Sequence, residues 1–394
     1  MSKALEGVRV LELGHVISAP FCTMLLGDMG AEVIKIERPG QGEFYRQEAI
    51  KNADGISLVY PNYNRNKKCI TLNLKHEKVK EILFDLISKC DVFIENYRPG
   101  MLKKMGLGYD VLKEINPKLV MASISGFGQT GPNAYKTAFD MTISAVSGFM
   151  TLNGPEGVPT KSGPAISDFL AGLYSALGIL GALRHTERTG EGQYVDVGMM
   201  DCAMSILDAF IAQCHFTGEE PKSMGNRRNN YAPINAFPVK DGSVYISASL
   251  QKHWESLTQI MDRKDLYEDP RYETSKMRKN HEDELEAIVT EWTSSFLTKD
   301  LIKILEANDI PCAPVQSVSQ VMKDPHVLAR QSIIEIDYPG LGPYPMPRFV
   351  PRFSSLEVPE QRAPLLGEHN EEVFRGLLGY SAEVYQELIE QKII

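Results

Sequence analysis

Residues 7–38 read GVRVLELGHVISAPFCTMLLGDMGAEVIKIER. An apolar, β-branched run, GVRVLELG, opens the stretch, and a second, AEVIKIER, closes it. Between them, Pro20 to Met29 places apolar side chains at helical spacing. Strand, helix and strand in succession make a βαβ unit, which requires parallel pairing and helices to cover the sheet. The same alternation continues downstream. Lys75 to Lys89 is amphipathic, with Val79, Ile82, Leu83 and Leu86 on one stripe, and DVFIEN (91–96) and LVMASISG (119–126) are short apolar runs bounded by turn residues. The predicted class is α/β with a parallel sheet.

Further along, Asn153 to Pro164 is punctuated by Gly and Pro and leads to a helix beginning near Asp168. A second long helix is predicted from about Asp201 to Phe216. The polar, turn-rich segment GEEPKSMGNRRNNYAP (218–233) reads as a linker. Beyond it, DGSVYISAS (241–249) is a strand, and helices are predicted near Lys252–Met261, His281–Phe296 and Lys299–Ala307, giving a smaller α+β domain. A Pro-rich return (337–353) precedes an acidic C-terminal helix. The resulting domain boundaries are 1–205 for a large domain, 206–230 for a linker, 231–320 for a small domain, and 321–394 for a return that completes the large one.

The chain has 394 residues, 43% of them hydrophobic and 24% charged, as in ordinary globular proteins. A formal charge of −9 argues against nucleic-acid binding. The N-terminus lacks the pattern of a signal peptide. The nearly apolar run from Phe169 to Leu183 reads as a buried helix too short to cross a bilayer, so no membrane partner is expected. Six scattered cysteines (22, 69, 90, 202, 214 and 312) without paired or metal-ligand spacing point to reduced thiols, a cytoplasmic location and no metal site.

The negative sum hides an uneven distribution. Between Ala31 and Met105, fourteen Lys and Arg oppose ten Asp and Glu. Arg38, Lys75 and Arg98 each follow or end an extended run, and Lys103 and Lys104 follow closely. Ligands of parallel sheets bind beyond the carboxyl ends of strands, so these cations are candidates for a phosphate-binding edge; a solvated surface is the other reading. Gly126 to Gly131 (GFGQTG) matches a dinucleotide fingerprint, but Pro132 follows and no helix opens there. A turn or a close backbone approach is expected instead. No P-loop, zinc-protease or serine-hydrolase pattern occurs. Asp168 stands before a helix of small apolar residues, either as an N-cap or as a poorly solvated carboxylate able to act as a covalent nucleophile. Gly172 beside it allows a close approach by another backbone or a ligand.

In order and spacing, these segments resemble the family III CoA-transferases, the group of formyl-CoA and carnitine CoA-transferases. The likeness runs through residues 5–43, NRNKKCITLNLK (64–75), DVFIENYRPGMLKKMGLGYDVL (91–112), NPKLVMASISGFGQTGP (116–132), residues 167–201, GNRRNNYAP (225–233) and RAPLLGEHNEEV (362–373). It implies a Rossmann-like large domain completed by the C-terminal segment, a small domain, and ring-like subunits interlocked as a homodimer. It also implies coenzyme A and acyl-CoA as substrates, with no permanently bound cofactor. Asp168 aligns with the catalytic aspartate. Arg38, Leu72, Asn73, Leu74, Lys75, Asn96, Tyr97, Arg98 and Lys104 fall where the family holds CoA, as do Ala138, Phe139 and Asp140. His15, Val16 and Ile17 form the loop facing the acid.

The implied reaction moves CoA from an acyl-CoA to a free carboxylic acid through a mixed anhydride and then an aspartyl-CoA thioester, with backbone N–H groups of that loop as candidate oxyanion donors. Three departures concern the formyl enzymes. Thr137 stands at a CoA-contacting lysine position, Ile17 replaces a glutamine, and no poly-Gly run occurs. With Phe44 and Tyr45, Ile17 would suit a larger or less polar acid. Within the family, α-methylacyl-CoA racemases carry a histidine before the aspartate that Ala138-Phe139-Asp140 lacks. A non-catalytic CoA-binding protein is the third reading.

Overall fold

The computed structural model describes residues 2–47 and 50–394. Six strands, β1 (Arg9–Leu13), β2 (Glu32–Glu37), β3 (Lys67–Thr71), β4 (Val92–Glu95), β5 (Val120–Ser125) and β6 (Gln193–Gly198), form one sheet in the order β3-β2-β1-β4-β5-β6. Every pairing is parallel. Strand order reverses between β1 and β4, the place where doubly wound sheets open a crevice for ligands.

Side chains alternate across the pleat and build one core on each face. Leu11, Leu13, Ile34, Ile36 and Phe93 pack with the stripe of helix Val79–Ser88 and with Val373, Phe374 and Leu388 from the chain's end. On the other face, Val10, Val33, Val92, Ile94 and Val120 meet α1 (Ser18–Asp28) and the long helix α2 (Ile166–Thr189). Gly172 is what lets these two helices touch: a Cβ there would lie 2.8 Å from Phe21 Cδ1 and 2.9 Å from the Ser18 carbonyl oxygen.

The chain divides into two compact units. The first comprises Met1–Met150, Lys161–Glu219 and Ala329–Ile394; the second comprises Thr151–Thr160 and Glu220–Leu328. The second unit contains an antiparallel sheet of Ile234–Val239, Gly242–Ser247 and Cys312–Pro314. Its core gathers Trp254, Leu257, Tyr272, Leu285, Val289, Leu301 and Leu305.

Four sequence expectations need correction. Asp168 is not an N-cap: α2 starts at Ile166, with Ala165 before it, and Asp168 lies in the first turn. The apolar run from Phe169 to Leu183 is only part of this 24-residue helix, which by length and composition alone is long enough to cross a bilayer. In the fold, its Ala171, Gly172, Ser175, Ala176 and Ile179 are buried. The single helix predicted over 201–216 is two, Met199–Ser205 and Ala209–Thr217, broken where Asp208 takes a φ of +46°. The Pro-rich return forms a hairpin, Ile333–Tyr338 against Gly342–Pro347.

Beneath the crevice lies a buried ionic cluster. Glu12 on β1 receives Lys35 Nζ from β2 at 2.6 Å and Lys67 Nζ from β3 at 2.9 Å, and all three side chains are fully shielded from solvent. Burial alone would favour the neutral acid, but the two ammonium groups and the Thr23 hydroxyl hold the Glu12 carboxyl below its usual range. Removing one partner from such a cluster strands the others. Glu12→Leu, which leaves two buried ammonium groups, is expected to destabilise the fold by about 3–5 kcal/mol. Urea unfolding of the variant against the parent measures this, and a loss below about 1 kcal/mol, the scale of an exposed pair, contradicts it.

Candidate active site

The loop after β1, Gly14 to Ile17, and the loop after β4, Asn96 to Pro99, face each other across the crevice, and side chains fix their backbones together. The His15 N–H donates to Asn96 Oδ1 at 3.1 Å, and Asn96 Nδ2 donates to the His15 carbonyl at 2.8 Å and to Ser18 Oγ at 3.1 Å. Lys35 Nζ, already paired with Glu12, donates to the Gly14 carbonyl at 2.9 Å. The rings of His15 and Tyr97 lie 5.3 Å apart.

Two cavities of about 370 Å³ each adjoin at His15 and Tyr97. One is lined by Val16, Ser18, Asn96, Arg98, Gly126, Ala138, Phe139 and Asp168 as well as those two residues. The other is lined by Arg38, Glu43, Phe44 and the run Leu72 to Lys75. Arg38, Lys75 and Arg98 thus stand beyond the carboxyl ends of β2, β3 and β4, as a phosphate-binding edge requires. Among the described residues none of their side chains is held in an ion pair. Ile17, Lys104 and Asp140 line neither cavity. Ile17 is buried at the start of α1, Lys104 is exposed at the end of the short helix Met101–Lys104, and Asp140 acts from behind, as described below.

Asp168 reaches the first cavity because α2 starts two residues earlier and lies tightly against α1. Burial pushes its carboxyl up to about 7; the charge of Asp140 adds to this, and a hydrogen bond from the Ser18 hydroxyl opposes it. Asp140 is anchored by the helix that Asp168 sits on, since its Oδ1 accepts the Ser167 N–H at 2.8 Å. The carboxylate is therefore poorly solvated and reactive, yet close enough to neutrality to ionise near pH 7. Burial and the Lys35 charge lower the pKa of His15, whose side chain lines the same cavity.

Several neighbours have no signal in the sequence. Ser18 and Met199 line the Asp168 cavity through folding alone. Lys136 lines it beside Thr137, so a cation stands one residue before the position where the formyl enzymes place a lysine. Gly126 is part of the same wall; a Cβ there would lie 2.2 Å from Ala138 Cβ, so the glycine serves a close approach and not a dinucleotide.

Residues 5–370 match the family model described as CoA-transferase family III. The chain belongs to that family. Over its full length it is 37% identical to succinyl-CoA–D-citramalate CoA-transferase of Chloroflexus aurantiacus, covering 98% of that protein. It is 35% identical to human succinyl-CoA:glutarate CoA-transferase, again over the full chain and 90% of the relative. A CAIB/BAIF family protein from Brucella suis has a crystal structure that superposes with a TM-score of 0.87, at 34% identity over 96% of this chain and 100% of that one. Family III CoA-transferases take CoA thioesters as substrates, and this chain is a CoA-transferase.

The electrostatics of Asp168 give this group a pH signature. Any step that needs its ionised carboxylate should slow as pH drops below about 7. Asp140→Asn keeps an acceptor for the Ser167 N–H but removes the neighbouring charge, so the acid limb should move to lower pH. Single-turnover rates of acyl-CoA consumption between pH 5 and 9 test this; an unmoved limb in Asp140→Asn contradicts it.

Proposed function

We propose that Asp168 is the covalent carrier in an exchange of CoA between an acyl-CoA and a free carboxylic acid. The observation that carries this reading is its position: a buried carboxylate of raised pKa, at the switch-point crevice, in a cavity that adjoins a second one bordered by strand-end cations.

In the first step an Asp168 oxygen attacks the thioester carbonyl, the C–S bond breaks, and CoA leaves as the thiolate, giving a mixed anhydride. The thiolate then attacks the Asp168 carbonyl carbon and expels the donor acid as its carboxylate, leaving an aspartyl-CoA thioester. The acceptor carboxylate attacks that thioester and releases the thiolate again. Finally the thiolate takes the acyl group from the second anhydride and regenerates the Asp168 carboxylate. No net proton or nucleotide is consumed, since one thioester replaces another. Arg38, Lys75 and Arg98 would hold the CoA phosphates, keeping the released thiolate in place for its return. Lys136 is the nearest substitute for the lysine absent at Thr137.

The donor we propose is succinyl-CoA and the acceptor a dicarboxylic acid longer than oxalate, a reading supported by the names of the Chloroflexus and human relatives. The aromatic surroundings of the nucleophile agree with an acid larger than oxalate. Tyr45 and Tyr63 stack at 6.0 Å, Tyr63 lies 6.0 Å from Phe169, and both phenols feel the Asp168 charge. The racemase reading gains nothing, because Phe139 occupies the position where proton transfer needs an imidazole.

A homodimer in the cytoplasm completes the proposal. Leu177, Phe139, Met141 and Phe216 are 66%, 63%, 56% and 83% exposed, apolar side chains that a second copy of the chain would cover in this reading.

Asp168→Asn should lower kcat by at least about a thousandfold while CoA thioester binding persists. Acyl-CoA alone should make the parent enzyme sensitive to hydroxylamine at Asp168. Full activity in Asp168→Asn overturns the covalent route. A carboxylate screen with succinyl-CoA, read by mass spectrometry, should favour glutarate and citramalate over oxalate; the reverse order overturns the substrate assignment.

A further inference from the structure

Val16 is a β-branched residue with a φ of +67°, in the left-handed region that such side chains avoid. It lines the Asp168 cavity, and nothing in its own chemistry favours that conformation. Strain of this kind persists only where the surroundings enforce it, and it gathers at working sites. The enforcing contact is visible. The Val16 N–H donates to Glu43 Oε2 at 3.1 Å. Glu43 is 7% exposed, and its own N–H donates to Glu37 Oε2 at 2.9 Å. Glu37 is in turn gripped by Arg46 through two hydrogen bonds, at 2.7 and 2.9 Å. Gly42, with a φ of +74°, lets the chain turn there; a Cβ would strike Arg46 Cδ at 2.4 Å.

We propose that Glu43 is a positioning residue of the transferase, whose carboxyl holds the Val16 amide and so keeps the loop after β1 in the strained form that faces Asp168. Three side chains fix this loop: Lys35 on the Gly14 carbonyl, Asn96 on both polar groups of His15, and Glu43 on Val16. Of these three, Glu43 is the one that acts on the residue whose backbone resists its conformation. Without it, Val16 relaxes toward the extended region, and the peptide groups on either side turn away from the cavity. Glu43 also lines the second cavity, with Arg38 and Phe44, so one side chain connects the cation-bordered pocket to the loop at the nucleophile. This rests on the assignment of Asp168 as the attacking group.

The test uses the full-length enzyme with succinyl-CoA alone, following acyl-enzyme formation by rapid quench and intact-mass spectrometry, and with succinyl-CoA plus glutarate in the steady state. Glu43→Met fills the space but accepts no hydrogen bond, whereas the side-chain oxygen of Glu43→Gln still accepts one from Val16. Glu43→Met should slow acylation and kcat by about ten- to a hundredfold, the scale of a small misplacement of reacting groups, with KM for the thioester changed less than about threefold. Glu43→Gln should recover most of the rate. In a Val16→Gly background, where the positive φ is unstrained, Glu43→Met should cost at most a few-fold.

Should Glu43→Met fail to fold, hydrogen exchange in the parent decides: the Val16 amide should be protected, and exchange at the rate of an open loop refutes the proposal. Acylation at the parent rate in Glu43→Met, or Glu43→Gln no faster than Glu43→Met, also overturns it. If the parent forms no adduct on Asp168, the nucleophile assignment fails instead, and steady-state kcat in the Glu43 variants still decides the role of the loop.

Discussion

Everything at the crevice depends on the buried contact between Glu12 and its two lysines. The three side chains come from adjacent strands, β1, β2 and β3, so the cluster locks half of the sheet in register from inside the core. Burying three charges is unfavourable unless each finds partners, and here they do: Lys35 adds the Gly14 carbonyl, and Lys67 adds the Pro20 carbonyl and Asn64 Oδ1. Those extra bonds reach outward. The Gly14 carbonyl begins the loop that shares a cavity with Asp168, and Pro20 lies in the first turn of the helix against which α2 packs. Sheet register and active-site geometry are thus fixed by the same few atoms.

The proposed nucleophile uses the opposite strategy. Among the described residues Asp168 is in no ion pair; its neighbours include the Ser18 hydroxyl, the Tyr63 and Phe169 rings and another carboxylate, Asp140. Arg38 and Lys75 border the second cavity, and Arg98 and Lys136, which share the Asp168 cavity, do not offset the upward pull of burial on its carboxyl. A lysine next to Asp168 would hold the carboxylate ionised and less reactive. Keeping Asp168 out of an ion pair suits the proposed exchange, in which cations hold CoA and the acid carries the acyl group.

Much of this was legible in the sequence. The alternation of GVRVLELG, a helical run and AEVIKIER fixes the βαβ start and the strand-end position of Arg38, and DVFIEN does the same for Arg98; the run read as ending at Lys75 is in fact the loop after β3 (Lys67–Thr71). The strand β3 was hidden, because KKCIT opens with two lysines and looks exposed; Lys67 is fully buried, and only its pairing with Glu12, fifty-five residues away, makes that tolerable. Glu43, Ser18 and Lys136 were equally silent, since nothing local distinguishes a surface glutamate from one that holds a distant amide. The break at Asp208 is a single backbone dihedral inside an unbroken helical pattern, which periodicity cannot reveal. Long-range polar contacts and isolated backbone conformations were lost, whereas hydrophobic period and strand-end chemistry survived.

The central claim is that one carboxylate, Asp168, carries the exchange. It makes an isotopic demand that direct attack of the acceptor on succinyl-CoA does not share. In direct attack, an acceptor carboxylate labelled with ¹⁸O passes one of its oxygens to succinate within the first turnover. Through Asp168, that oxygen stays on the enzyme as the product thioester forms, and the first succinate released takes its new oxygen from the unlabelled Asp168 carboxylate. Mass spectrometry after a single turnover, with enzyme in excess over succinyl-CoA and with labelled acceptor, is the direct measurement. A covalent Asp168 carrier predicts unlabelled succinate and ¹⁸O in the peptide that holds Asp168. Labelled succinate with an unlabelled Asp168 peptide would contradict it.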